Sequence, residues 1–346
     1  MSKTLQDYAT LINDTIQSNE INHYITTDNM RQNLGGIDTL KNINIPQGKV
    51  RSFQKDDVLL SNIRLYFRKV YKAKQKGGCS SDILVFRAKH IDSATLFAIL
   101  SSQIFTDYAC LGSQGSKMPR GNKTHMMDFK IPTINFTIAK IFNSIQNKIE
   151  NNHKINELLH TLAYKIYEYY FKYKPKNAKL EQIIIENPKS SIMVKNAQKT
   201  QDKYPFFTSG DNILSYPQAI IDGRNCFLNT GGNADIKFYV GKASYSTDTW
   251  CICANEFSDY LYLLLSSIKT HINQSFFQGT SLKHLQKNLL KKYPIYMPSA
   301  HEITKFNQII MPLLTLISIN TRISKKLEQI RDFLLPLLLK QQVKPQ

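Results

Sequence analysis

Acidic residues are scarce in this chain: 26 Asp and Glu stand against 45 Lys and Arg, leaving a formal net charge of +19. An excess of that size is more than solubility needs and implies a polyanionic partner. Membrane-surface binders concentrate Lys and Arg on one face of an amphipathic helix. Here the basic residues gather in segments that read as loops, which favours nucleic acid. Long apolar runs are missing too. The most apolar stretch, Ile309 to Ile319, is interrupted by Pro312 and falls well short of the roughly 20 residues a bilayer span requires. Met1 to Thr10 is polar and leads into no apolar core of a signal peptide. The expectation is a cytoplasmic protein with no membrane contact. Cysteine is sparse as well. Cys79, Cys110, Cys226, Cys251 and Cys253 include no CxxC pair and no finger-like spacing, so they read as reduced thiols and not as a zinc site.

Catalytic signatures are equally lacking. Glu186-Asn187-Pro188-Lys189 has neither the second proline nor the aromatic of the loop that holds a flipped base for amino methylation. There is no glycine loop for S-adenosylmethionine, no Glu-x-Lys after an upstream Asp as in metal-dependent nucleases, and no GxxxxGK[ST] for ATP. The eight His residues form neither HxH nor HExxH. Chemistry, if any, falls to partners.

What is present is a duplication. Gly78-Cys79-Ser80-Ser81-Asp82 precedes the apolar run Ile83 to Phe86, and Ala243-Ser244-Tyr245-Ser246-Thr247-Asp248 precedes Thr249 to Cys253. The two Asp residues are 166 apart, and structural hydrogen bonding in the turns they close is the expected role of each. An amphipathic helical segment follows in each copy, Ala94 to Ala109 and Glu256 to Gln274. Next come Gln114-Gly115-Ser116-Lys117 and Gln278-Gly279-Thr280-Ser281, then the boundaries Lys130-Ile131-Pro132 and Tyr296-Met297-Pro298, again 166 apart at the prolines. Such a period means two domain-sized units, not a solenoid. Runs around Val58 to Leu60, Ile83 to Phe86, Phe227 and Leu228, and Trp250 to Cys253 read as short strands.

Each boundary proline opens a long helical pattern. The first runs through Ile134, Ile138, Ile141, Ile145, Ile149, Ile155, Leu159, Leu162, Ile166 and Tyr169. The second runs through Ile303, Phe306, Ile310, Leu313, Ile317, Ile323, Leu327, Ile330, Leu334 and Leu337. Asn152 and Asn320 fall on seam positions, where a polar residue fixes register. Matching lengths favour pairing of the two helices, against the alternative that each packs on its own domain. Pro312 and Pro336 are expected to kink or break the second helix. A helix of about 38 residues is about 57 Å long, the span of one to two turns of B-DNA. The fold class expected is α+β, with two similar recognition domains separated by two long antiparallel helices in a coiled coil, a pseudo-twofold internal repeat. The boundaries are 1–132 for the first domain, 133–175 for the central helix, 176–298 for the second domain and 299–346 for the C-terminal helix.

Candidate DNA contacts come from four places. Arg64 to Lys76 mixes Arg64, Arg68, Lys69, Lys72, Lys74 and Lys76 with Tyr66, Phe67 and Tyr71 and contains no acid, which suits phosphate and sugar contact. The alternative is a strand with solvated Lys on one face and core aromatics on the other. Gly115 to Lys123 offers Ser116, Lys117, Arg120 and Lys123, and Arg can take guanine O6 and N7 together. Its counterpart offers Thr280, Ser281, Lys283, His284 and Lys287. For both loops the alternative is a basic surface turn. Ser80 and Ser81, in the duplicated turn, complete the set.

With these landmarks in view, the chain resembles the specificity (S) subunit of type I restriction–modification enzymes over essentially its full length. The resemblance rests first on Lys55-Asp56-Asp57-Val58-Leu59-Leu60-Ser61-Asn62-Ile63-Arg64, Gly78 to Asp82, Gly115 to Gly121 and the Ile131-Pro132 helix entry. In the second half it rests on Tyr204-Pro205-Phe206-Phe207-Thr208-Ser209-Gly210, Gly279 to Leu285, and Arg331-Asp332-Phe333-Leu334-Leu335-Pro336-Leu337-Leu338. It implies two target-recognition domains, each reading half of a split site in double-stranded DNA, and helices that space them and dock two methyltransferase subunits. S-adenosylmethionine, ATP and Mg are then expected on partner subunits and no cofactor on this chain. An ATP-driven restriction subunit can join them. Two departures stand out: little sequence precedes the first recognition domain, and Phe136-Thr137 replaces the Glu-Gln that often follows the boundary proline. The rival readings are a free-standing DNA binder or regulator, and a coiled-coil scaffold whose charge serves only solubility.

Overall fold

The alternation of the apolar runs decides how each sheet is buried, because successive side chains on a strand point to opposite faces. In the computed structural model, which describes residues 3–39, 41–197, 203–210, 213–280 and 282–339, the chain divides into two units. One comprises residues 1–154 with 323–346, and the other residues 155–322. The chain passes from one unit to the other within each of two long helices, Phe136–Tyr167 and Ala300–Leu338.

The first unit contains β1 (Ala9–Ile12), β2 (Thr15–Gln17), β3 (Tyr24–Ile25), β4 (Lys49–Phe53), β5 (Val58–Ser61), β6 (Val70–Lys72), β7 (Gly77–Cys79) and β8 (Ile83–Ala88). One antiparallel sheet has the order β1-β8-β5-β6, and a second has the order β2-β4-β7-β3, with β3 and β7 parallel. Val58, Leu60, Leu84 and Phe86 pack on the helix Ser93–Ser101, whereas Leu59, Ile83 and Val85 face Ile25, Phe53 and Cys79 of the second sheet. The continuous apolar runs are thus strands buried on both faces.

The second unit contains β9 (Ala178–Lys179), β10 (Ile185–Glu186), β11 (Tyr204–Phe207), β12 (Leu214–Tyr216), β13 (Arg224–Asn229), β14 (Ile236–Val240), β15 (Ser244–Tyr245), β16 (Thr249–Cys253), β17 (Phe277–Gln278), β18 (His284–Leu285) and β19 (Pro294–Ile295). Its main sheet has the order β10-β16-β13-β14, and beside it lies β12-β11-β15, with β11 and β15 parallel. Cys226, Leu228, Trp250 and Ile252 pack on the helix Ser258–Ser267, while Phe227 and Cys251 face Phe207 and Tyr245. The α+β layering of the first unit, helix on sheet on sheet, recurs.

The amphipathic segments are interrupted where single helices were expected. Ser93–Ser101 and Gln103–Leu111 meet at Ser102, whose hydroxyl accepts from the Phe105 amide at 3.2 Å and starts the second helix. Ser258–Ser267 and Lys269–Ser275 meet at Ile268. No single helix among the described residues is long and apolar enough to cross a membrane; Ser93–Ser101 with Gln103–Leu111 passes only as a bent pair, and Leu96 to Ser101 are buried in the first unit's core.

The long helices also depart from the sequence pattern. The second runs unbroken through Pro312 and Pro336. Both prolines are exposed, and so are Gln308 and Asp332, whose carbonyls they leave without an intrahelical donor, so water can take those carbonyls. The first ends in a π-helical turn, Glu168–Lys172. Ile141, Ile155, Leu162, Tyr169, Ile323 and Ile330 are exposed. The buried line of the first helix is Ala139, Phe142, Gln146, Ile149 and Asn152 within the first unit, and Glu157, Ala163 and Tyr167 within the second. Inside the first unit the helices run antiparallel: the Asn135 amide meets the Leu338 carbonyl, and Asn152 Nδ2 donates to Ser324 Oγ at 3.1 Å. Inside the second unit Asn320 Nδ2 donates to Asn156 Oδ1 at 3.0 Å, and Tyr170 meets Phe306 edge to face.

Candidate nucleic-acid interface

In the first unit the chain leaves β5 at Ser61 and turns through Asn62, Ile63 and Arg64. The Asn62 amide donates to the Asp82 carbonyl at 2.8 Å, which ties this turn to the one preceding β8. The glycine loop lies on the same turn. The Arg64 amide donates to the Pro119 carbonyl at 2.9 Å, the Gly121 amide to the Asn62 carbonyl at 3.1 Å, and Ile63 bridges Arg120. Gln114 and Arg120 exchange amide–carbonyl bonds at 2.9 and 2.8 Å, closing the loop at its base. A Cβ at Gly121 would lie 2.0 Å from Met126 Cε and 2.8 Å from Leu65 Cδ1, so any side chain there has to displace the ends of Met126 and Leu65 for the loop to rest on the turn.

These contacts bring parts of two candidate segments together. Arg64 Nη2 donates to the Lys117 carbonyl at 3.3 Å, and Arg120 Nη2 pairs with Asp82 Oδ1 at 2.8 Å. Ser116, Lys117, Arg120 and Lys123 are exposed, as is Tyr66. Arg64 and Arg68, at the two ends of the Leu65–Phe67 turn, adopt φ of 50° and 49°. The left-handed region is costly for residues with a side chain and is often held at functional sites.

The rest of the basic run is divided. Arg68 Nη2 donates to the Ser101 carbonyl at 2.9 Å, and Lys69 Nζ to the Thr27 carbonyl, with burial pulling the Lys69 ammonium below its ordinary pKa. Lys72 pairs with Asp56 at 3.6 Å and Lys74 with Glu150 at 2.7 Å. Tyr71 is buried in the core. Ser80 is half-buried: its amide donates to the Ile25 carbonyl at 2.9 Å and its carbonyl accepts from Ile83 at 3.1 Å. Ser81 is exposed.

The second unit repeats the construction with other residues. After β13 the chain turns through Thr230, Gly231 and Gly232. The Thr230 amide and hydroxyl both donate to the Asp248 carbonyl, at 3.3 and 2.8 Å. The Gly232 amide donates to the Lys283 carbonyl and the Leu285 amide to the Thr230 carbonyl, each at 3.0 Å, and Gly231 bridges His284. Antiparallel pairing of β17 with β18 closes the loop that carries Gly279 and Thr280. Thr280, Lys283 and His284 are exposed, and Ser281 lies outside the described residues.

Residues 176–329 match the family model described as "Type I restriction modification DNA specificity domain". Residues 176–329 are thus similar to a type I DNA specificity domain. No curated protein matches the sequence. Among solved structures, the chain is similar in fold to a type I restriction–modification S subunit from M. genitalium. The similarity covers 99% of this chain and 96% of that one, with a TM-score of 0.64 and 14% identity. An HsdS subunit from Thermoanaerobacter tengcongensis aligns over 98% of this chain and 96% of its own, with a TM-score of 0.37 and 14% identity.

Within residues 176–329, Lys287 stands somewhat apart from the loop. Its ammonium sits 5.1 Å from the Trp250 ring centre, and burial pulls its pKa below the ordinary value while Glu186 works against that. Trp250 Nε1 donates to Glu186 Oε2 at 2.7 Å, and Lys291 binds the same carboxylate. Sequence reasoning missed Asn62 and the Thr230–Gly232 turn that support the loops. Each directly follows an inner strand of its sheet, a placement that only the folded topology reveals. Among the described residues no cluster of three or more His, Cys, Asp or Glu is placed to hold a metal ion.

Proposed function

We propose that this chain is the sequence-reading subunit of a type I restriction–modification enzyme, each unit reading one half of a bipartite duplex target. The observation that carries this is the recurrence of one construction: a basic, glycine-opened loop held on the turn after an inner strand, β5 or β13, which the carbonyl of Asp82 or of Asp248 anchors. Ser116, Lys117, Arg120 and Lys123 in one unit, and Thr280, Lys283 and His284 in the other, offer donors to phosphates and base edges, with Arg64, Tyr66 and Ser81 beside the first set. Arg68, Lys69, Ser80 and Lys287 are assigned supporting roles. Ser281 joins the second set by its place in the loop. The net charge of +19 supplies the sequence-independent attraction on which such reading is built.

In this reading the two long helices form an antiparallel coiled coil that relates two copies of one recognition unit by a pseudo-twofold axis. Two methyltransferase subunits dock on the helices, whose exposed Leu158, Leu162, Leu316, Ile330 and Phe333 are large apolar side chains of the kind a partner covers. S-adenosylmethionine, ATP and Mg belong to methyltransferase and restriction subunits, and this chain performs no chemistry.

Co-expression with the cognate methyltransferase subunit, followed by methylome sequencing, tests the proposal. A split, asymmetric methylated motif is expected, and exchanging residues 1–132 for those of a relative should change one half of it. A stable complex that adds no methylation, or a motif that changes in both halves, overturns it.

A further inference from the structure

The two recognition loops share a feature that phosphate contact does not explain. Three positions after the opening glycine, each places a large apolar side chain in solvent: Met118 is 53% exposed and Leu282 is 58% exposed. A single exposed Leu or Met on a protein surface needs no explanation. Here a large apolar side chain stands at the same place on two loops built alike, and apart from Pro119 its neighbours along each loop are polar or basic. Ser116, Lys117 and Arg120 surround one, and Thr280, Lys283 and His284 the other.

Both tips are held outward. Gly115 and Gly279 take φ of +98° and +137°, which turns the chain sharply at the start of each loop. The Gln114–Arg120 pair closes the first loop and the Phe277–Leu285 and Gln278–His284 pairs close the second. In the first unit Tyr66 adds a further apolar surface, 53% exposed, on the turn whose Arg64 amide holds Pro119. An apolar tip ringed by cations fits a ligand that offers apolar faces behind a line of negative charge. Stacked base pairs behind a phosphate backbone are such a ligand.

We propose that Met118 and Leu282 are wedges, each inserting its side chain at one base-pair step of its half-site and partly unstacking it. This rests on the DNA-reading function proposed above. Apolar side chains, Met and Leu among them, kink duplexes in this way, and pyrimidine–purine steps yield most readily. Each half-site then contains one step chosen for its deformability and not for its base edges.

The test uses the full chain without a methyltransferase subunit, so that no partner flips a base. It is bound to duplexes carrying the selected target with 2-aminopurine placed at successive positions. A rise in fluorescence is expected at one position in each half-site. Met118→Ser should abolish the rise in the first half alone and Leu282→Ser in the second alone, each with about a tenfold loss of affinity, and Met118→Leu should restore it. Sequence-selective binding with no rise at any position overturns the wedge and leaves the reading function standing, as does a rise that survives both Ser substitutions. A wild-type chain that binds all duplexes alike removes the reading function and the wedge with it.

Discussion

Arg331 donates from Nη1 to Gln146 Oε1 at 3.1 Å with its side chain only 2% exposed. Gln146 Nε2 in turn donates to the Leu34 carbonyl, so a cation on the second long helix is held through an amide on the first to a loop of the first unit. Arg331 Nε pairs with Asp332 at 3.0 Å at the rim. Arg331→Ala should lower the unfolding free energy by about 3 kcal/mol, because it leaves buried polar atoms without their partner. Arg331→Met, which fills the space without the charge, should lose less. Urea denaturation followed by circular dichroism reads both, and equal losses would mean that the hydrogen bond, not the volume, is what matters.

The opening glycines of the two loops should differ in their tolerance of alanine. At Gly279 a Cβ would lie 2.4 Å from the Leu282 carbonyl oxygen, whereas at Gly115 the nearest atom, the Met118 carbonyl oxygen, is 3.7 Å away. Both positions have positive φ and carry that strain alike. Gly279→Ala should therefore distort its loop and weaken the second half-site at least tenfold, about 1.4 kcal/mol. Gly115→Ala should cost clearly less at the first. Competition binding with half-site mutants gives the comparison.

Asp82 is the carboxylate beside the first loop, paired with Arg120 at 2.8 Å. Exposed pairs of this kind contribute less than about 1 kcal/mol to stability, so Asp82→Asn should leave the unfolding midpoint nearly unchanged. Removing the charge releases Arg120 and takes away a group that repels phosphate. Affinity for non-cognate DNA should rise, and discrimination should fall in the first half-site only. Loss of discrimination in both halves would contradict independent reading.

Acid should weaken the second unit through His160. Its Nδ1 lies 3.2 Å from the Tyr262 hydroxyl, and burial holds its pKa below the ordinary 6.5. The folded state therefore binds this proton less readily than the unfolded chain does. The stability is fully present above about pH 6.5 and is lost as the pH falls from there through the folded value. His160→Gln should flatten the stability–pH profile below pH 6.5. A slope unchanged by that substitution would assign the acid sensitivity to other groups.

Much of this fold is legible in the sequence, and the gaps have physical causes. Val58 to Leu60 and Trp250 to Cys253 could be read as strands because both of their faces are apolar, and Asp82 and Asp248 mark turns whose carbonyls bind the chain after an inner strand. The tilt of the helices was not legible. Asn152 was legible as a buried polar seam residue, but Ile141, Ile155 and Ile330 continue an apolar period while Gln146 and Arg331 take buried positions, because polar residues paired with one another can occupy a seam that sequence alone assigns to isoleucine. The loops were legible from glycine and charge. Their supports were not, since Asn62 reaches Gly121 and Thr230 reaches Leu285 across long stretches of chain. The same distance hid the inward turn of Arg68 and Lys69 toward Ser101 and Thr27.

The division of the long helices between the units also sets an order of assembly. Residues 155–322 are one uninterrupted stretch, whereas Leu335, Leu338 and Leu339 belong to the core that also contains Leu5 and Val58. A ribosome that has made the whole second unit has still not supplied the last apolar side chains of the first. The half of the molecule that is translated first is therefore the half that finishes folding last. Until its closing leucines emerge, Ala139 and Phe142 face a vacancy that chaperones or a neighbouring nascent chain can enter.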